Sequence, residues 1–279
     1  GTLTVTGEGT VDNVSHSRAA IYNEAGGNVT LNGGTFDRSA EEGTSILGED
    51  GKWTNSPNGN SWYTVMNFGK MEINDGVTIS QGYEKADGSW TGSYSSLLDS
   101  GWVEPAKNTA GAEAEIIISG GTFLRGKMSL KNDSFSTMTV KDGNFTDSSN
   151  WIVTNYGTLV IEDGTFEGKR SGLYNAISAD NRGEMTVKGG SFVYDKALTG
   201  IYSGEGCTTA VSGGSFSNEV ELGHCAEGFV PVQNGETYGV VDTLTITPNR
   251  TSQSGAGAVT LTVAPSNLTA EVEVKCDDE

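Results

Sequence analysis

Histidine, cysteine and proline are scarce in this 279-residue chain, at two, three and five copies, and each shortage removes a class of explanation. Catalysis that turns on an imidazole base has few places to sit: His16 falls between repeated segments and His224 just beyond them, and both read as surface or cap residues. The three cysteines, Cys207, Cys225 and Cys276, fit no zinc-ligand spacing, and their odd number rules out a complete disulfide framework. A Cys207–Cys225 bridge stays open, but unpaired small residues are the plainer expectation.

Basic residues are also few. Lys and Arg number 17 against 36 Asp and Glu, a formal charge of -19, which repels phosphate backbones and anionic lipid and argues against nucleic acid as a partner. Calcium is the one ion such acidity could attract; no other cofactor is expected. No apolar run nears the ~18 residues that cross a bilayer, so no membrane insertion is expected. The chain opens on Gly1 with neither an initiator Met nor a signal-like pattern, and reads as a piece of something longer that begins in mid-coil.

Glycine is abundant, at 40 residues, about twice the usual share of roughly 7%, yet it follows no collagen period. Instead it marks a repeat. Aligned on Gly-x-Phe, the chain shows Val29-x-Leu31-x-x-Gly34-x-Phe36, Ile116-x-Ile118-x-x-Gly121-x-Phe123, Met138-x-Val140-x-x-Gly143-x-Phe145 and Leu159-x-Ile161-x-x-Gly164-x-Phe166. Met185-x-Val187-x-x-Gly190-x-Phe192 and Thr209-x-Val211-x-x-Gly214-x-Phe216 follow, with a degenerate copy at Met71-x-Ile73-x-x-Gly76-x-Thr78 and an imperfect one around Leu3, Val5 and Val11.

From Phe123 to Phe216 the phenylalanines are separated by 22, 21, 26 and 24 residues. A drifting period of that size suits one coil of a solenoid whose corners accept extra residues. The alternation inside each unit is a strand signature: Leu159 and Ile161 face in, Val160 and Glu162 out. The glycine permits a turn that a Cβ would obstruct, and the following Phe points back into the interior. Stacked coils then put Phe on Phe about 4.8 Å apart. Eleven residues before the Phe, Asn155, Asn181 and, in the degenerate copy, Asn67 suggest a second column of stacked amides.

All five prolines, at 57, 105, 231, 248 and 265, lie outside the repeated units, as a ladder of strands requires. The expected fold is all-β: a right-handed parallel β-helix of about eight coils over residues 1–217, a C-terminal cap over 218–242 and a short β segment over 243–279. A β-sandwich would also give short strands and glycines, but not a recurring Gly-x-Phe.

Two excursions break the period, at about 40–62 and 82–110, both leaving the same corner of neighbouring coils and so expected side by side on one flank. They carry Trp53, Trp62, Tyr63, Tyr83, Trp90, Tyr94 and Trp102, interspersed with acids that include Asp99 and Glu104. Two roles are open to these aromatics: a satellite core that pins the loops, or exposed faces that stack on sugar rings.

Residues 1–241 resemble the right-handed β-helices of the pectin-lyase-like superfamily, particularly glycine-rich versions in large secreted or wall-attached proteins of anaerobic gut bacteria. The GGTF-type units and the closing HCAEGFVPVQNGETYGV at 224–240 carry that likeness, and residues 243–276 resemble the start of a bacterial immunoglobulin-like domain. The superfamily's enzymes are pectin and polygalacturonate lyases and hydrolases, but their NTD, GHG and RIK signatures are missing, and the only DD is Asp277-Asp278 in the tail. Arg125, Lys127 and Arg170 are available as bases, and no motif selects them.

The resemblance therefore implies an extracellular, surface-attached, non-catalytic adhesin or glycan-interaction module. Its partner would be a carbohydrate or host surface ligand, and it would act as a monomer within a longer multidomain chain. The alternative is a polysaccharide lyase or glycoside hydrolase acting on plant or host glycans, and the bland reading a pure spacer.

Overall fold

A computed structural model describes residues 1–13, 18–39, 45–47, 53–55, 63–82, 86–88, 95–102, 114–178, 181–243, 245–248 and 261–264, with only the backbone of 45–47, 53–55, 245–248 and 261–264. The chain is all-β, and its strands collect into three long sheets whose pairings are parallel except at the C-terminal end of the second. The first sheet holds eight strands: Thr2–Val5, Asn28–Leu31, Lys70–Ile73, Glu115–Ile118, Thr137–Val140, Thr158–Ile161, Glu184–Val187 and Thr208–Val211. The second begins Thr10–Asp12, Gly34–Asp37, Val77–Ser80, Thr122–Leu124 and Asn144–Ser148, and continues Thr165–Gly168, Ser191–Val193 and Ser215–Phe216. The third runs Ile21–Asn23, Val65–Asn67, Leu98–Ser100, Leu130–Asn132, Trp151–Asn155, Ser171–Asn175 and Ile201–Ser203.

The chain visits the three sheets in rotation, and each strand pairs with the strand one circuit earlier. That topology is consistent with a β-helix-like repeat, because only a chain winding about an axis returns to the same sheet in the same direction each time. The inward positions of the first two sheets are mostly aliphatic, Met or Phe, with Thr209 an exception in the last rung. Leu159 and Ile161 are buried while Val160 is half-buried and Glu162 exposed, the alternation their sequence implies.

Phe123, Phe145, Phe166, Phe192 and Phe216 form one continuous stack with ring centroids 4.5, 4.6, 4.7 and 4.7 Å apart. The glycine before each Phe holds a positive φ, for example +128° at Gly164, where a Cβ would lie 3.1 Å from both Gly143 O and the Phe166 ring. A side chain there must strain the backbone and crowd the rung below. Gly164→Ala is therefore expected to cost about 1–3 kcal/mol, read as a lowered urea midpoint; an unchanged midpoint would mean that the corner relaxes.

Inside the corner between the third and first sheets runs a hydrogen-bonded amide column. Asn23 Nδ2 donates to Asn67 Oδ1 at 2.7 Å, and Asn67 Nδ2 donates to Ser100 Oγ at 3.0 Å. Asn132 Nδ2 donates to Asn155 Oδ1 and Asn155 Nδ2 to Asn175 Oδ1, both at 2.8 Å. Asn67 and Asn155 are where the spacing places them, but Asn175 stands in the column instead of Asn181. The reason is local: Ile177–Ser178 and Asn181–Arg182 form a small antiparallel hairpin between Asn175 and Gly183, so counting back from Phe192 lands on the hairpin.

The excursion expected over 82–110 contains a strand. Leu98–Ser100 is a rung of the third sheet, paired with Val65–Asn67 and Leu130–Asn132. Its signal is weak because a serine replaces the column asparagine. In the first excursion Ser45–Leu47 pairs antiparallel with Trp53–Asn55; whether the two excursions lie side by side falls outside the described residues.

Past Phe216 the parallel order stops. A one-turn 3-10 helix, Leu222–His224, leads to a hairpin of Phe229–Asn234 and Thr237–Asp242, and the latter strand pairs antiparallel with Ser215–Phe216. Val220 and Val240 are buried there against the core. Thr245–Pro248 and Leu261–Ala264 form a further antiparallel pair. Cys207 and Cys225 are free thiols. Among the described residues no helix is long and apolar enough to cross a membrane.

Candidate functional site on the outer face of the third sheet

The rungs of the third sheet share a three-residue pattern, apolar-x-Asn or Ser, read at Ile21-Tyr22-Asn23, Val65-Met66-Asn67, Leu98-Asp99-Ser100, Leu130-Lys131-Asn132, Leu173-Tyr174-Asn175 and Ile201-Tyr202-Ser203. The first residue enters the core and the third joins or extends the amide column, so the middle one must point outward. Register stacks these middle residues into a line: Tyr22, Met66, Asp99, Lys131, Thr154, Tyr174 and Tyr202.

The line is exposed at its ends and closed at its centre. Tyr22 is 51% exposed and Tyr202 43%, whereas Asp99 is 3% exposed. At one end Tyr22 tilts against Phe68, with centroids 5.3 Å apart, and Phe68 stacks on Trp102 at 3.6 Å. At the other end Tyr174 and Tyr202 stack nearly parallel, 4.9 Å apart with planes 12° from each other. Trp151 leans on Tyr174 at 5.2 Å, and Tyr156 meets it edge-on at 6.1 Å.

Between these aromatic groups sits an ionic cluster. Lys131 Nζ donates to Asp133 Oδ2 at 2.7 Å and approaches Asp99 Oδ2 at 3.4 Å, while its ammonium lies 5.4 Å from the centre of the Tyr63 ring. Burial pushes the Asp99 carboxyl up to about 8, against the pull of Lys131. Burial raises Asp133 in the same direction. For Lys131 burial acts downward, but Asp99 and Asp133 outweigh it and hold the amine above its ordinary value. Tyr63, desolvated and beside Asp99, is pushed up to about 12.

With the Asp99 carboxyl raised to about 8 and the Lys131 ammonium held against Asp133, burial drives the cluster towards electrical neutrality. Electroneutrality is what makes such burial tolerable. The Oδ1 atoms of Asp99 and Asp133 are buried, and no hydrogen-bond donor meets them among the described residues. The two carboxyls can hydrogen-bond to one another once one carries a proton.

Of the aromatics and acids singled out in the sequence, the structure gathers Tyr63, Asp99 and Trp102 on this face. Asp99 is buried beneath it, out of reach of a ligand. Trp102 is half-buried and stacks one face on Phe68. Trp62, Tyr83, Trp90, Tyr94 and Glu104 lie outside the described residues, as does the side chain of Trp53. Trp151, Tyr174 and Tyr202, which the period does not select, form the more open group. The signal for Tyr174 and Tyr202 is the recurrence of tyrosine at the middle of the apolar-x-Asn/Ser triplet; Trp151 has none.

Comparison of the chain with family models, with curated proteins and with solved structures gives no match.

Proposed function

We propose that this chain is a non-catalytic glycan-interaction module of an extracellular, surface-attached bacterial protein, its fold a right-handed parallel β-helix closed by the 218–242 cap. The observation that carries the reading is the Tyr174–Tyr202 stack with Trp151 beside it, partly exposed on a sheet whose rigid register holds the rings in place. Flat π faces with a polar rim suit the apolar faces of sugar rings. The acid surplus favours neutral or cationic glycans over polyanions.

Affinity electrophoresis against plant and host glycans tests it. Tyr202→Ala is expected to weaken retention about tenfold, since an aromatic contact contributes about 0.5–1.5 kcal/mol beyond its area. A silent panel, or retention unchanged in a Tyr202→Ala/Trp151→Ala double variant of intact fold, removes the reading.

The alternative, a polysaccharide lyase or glycoside hydrolase, draws on a depression of about 210 Å³ on the first sheet, lined by Lys70, Glu72 and Glu115 among others. Its two glutamates could flank a glycosidic bond. Against it, the volume is below the roughly 300 Å³ at which small-molecule sites begin, and Glu115 is engaged by Lys70 at 2.9 Å. Depolymerisation abolished by Glu72→Gln would favour the enzyme.

A further inference from the structure

We propose that Lys131 and Asp99 condense to an amide, a covalent tie between adjacent rungs of the third sheet, with Asp133 as the proton carrier. Geometry supplies the elements. Asp99 and Lys131 are direct register partners on neighbouring parallel strands, so their side chains leave the sheet side by side. The amine reaches to 3.4 Å from one Asp99 oxygen and 2.7 Å from Asp133. All three groups are largely sealed from water, with side-chain exposures of 14% for Lys131, 5% for Asp99 and 4% for Asp133.

Enclosure matters twice. Held in place, an amine and a carboxyl react with an effective concentration far above any in solution. In a dry site the charged pair loses its hydration, so the neutral amine and neutral acid lie closer in energy than in water. Condensation also exchanges an ammonium and a carboxylate for uncharged groups, which removes the burden of burying them.

The step balances. The starting cluster is Lys131 ammonium, Asp133 carboxylate and Asp99 carboxylic acid. Asp133 takes a proton from the ammonium. The free amine attacks Cγ of Asp99, forming the Nζ–Cγ bond. As the tetrahedral centre collapses the Cγ–OH bond breaks: Asp133 delivers its proton to the leaving hydroxyl, which departs as water, and takes up the proton released from nitrogen. Asp133 ends as a neutral carboxyl, able to donate a hydrogen bond to the new carbonyl. No oxidant, metal or other reactant is required. Asp133 is a poorer electrophile, because it is two residues from Lys131 and carries the negative charge.

Intact mass spectrometry of the denatured, purified protein decides it. The expected mass is lower than the sequence mass by one water. Trypsin should fail to cut after Lys131, leaving residues 128–141 joined to residues 86–107. Lys131→Arg and Asp99→Ala should each restore the full sequence mass, and Asp133→Asn should slow or prevent the loss. A wild-type mass equal to the sequence mass after prolonged incubation at neutral pH overturns the proposal whatever the variants do, as does a water loss that persists in Lys131→Arg.

Discussion

Phe166→Ala is expected to destabilise the chain by about 3–5 kcal/mol, the range for truncating a fully buried phenylalanine. Phe166 lies in the middle of the stack, 4.6 Å from Phe145 and 4.7 Å from Phe192, and has no exposed surface. Relaxation would normally reduce the cost of the missing ring, yet here the rungs on either side are held apart by their own ladder hydrogen bonds and cannot close the gap. Urea denaturation followed by far-UV circular dichroism measures the loss. Because a repeat architecture unfolds through neighbour contacts, the variant should also broaden the transition as the two halves uncouple. A loss below about 1 kcal/mol, as expected for a solvated site, would show that the ring column is not the core.

The second large effect is expected from Lys131→Met. Removing the Lys131 ammonium leaves Asp99 and Asp133 facing each other in a closed site, and breaking a buried pair in this way costs about 3–5 kcal/mol. The sign of the pH dependence follows from Asp99, whose carboxyl already stands near 8 rather than 3.8 with the lysine in place. Burial causes that rise and Lys131 opposes it, so the variant moves further the same way. A carboxyl raised on folding contributes its stability at pH below the unfolded value and loses it as pH climbs through the folded value. The part of the deficit that Asp99 carries should therefore be small near about pH 4 and open as pH rises through and beyond about 8, as urea midpoints across that range would register. Neither the ion pair nor the amide can exist in this variant, so the slope belongs to the carboxyls alone. Adding Asp99→Asn and Asp133→Asn should recover most of the loss at the alkaline end. No recovery would mean that the lysine's contribution is packing rather than charge.

The two sides of the coil differ in how far the sequence betrays them. Gly-x-Phe is legible because two independent demands, a backbone that needs positive φ and an interior that needs a ring, fall at fixed spacing from Gly121 to Phe216. The third sheet is not legible in the same way. Its triplets specify one apolar residue and one short polar one, too little to stand out when the distance to the next unit varies, which is why Leu98–Ser100 hides inside a presumed loop.

The outward line suffers most. Asp99 and Lys131 become neighbours, and Tyr174 falls on the same line, only once the register is known; Asp133, two residues beyond Lys131, joins the pair through its side chain. Asp99, a binding candidate from its place among the aromatics, lies at the centre of a closed cluster, and nothing in the sequence ties it to its partner Lys131.

The corners of the coil divide the labour of variation. From the first sheet to the second the chain always turns within a few residues, as at Ile118 to Thr122, Val140 to Asn144 and Ile161 to Thr165. From the second to the third it steps as briefly as Gly168 to Ser171 or as widely as Asp37 to Val65, and the strands on both sides keep their register. The step from the third sheet to the first varies too, from the short Asn155 to Thr158 to the longer Asn175 to Glu184 with its hairpin. Sequence drift can thus lengthen, shorten or replace segments at both ends of the third sheet without disturbing the rungs, which leaves its borders places where new recognition can evolve on an unchanged frame.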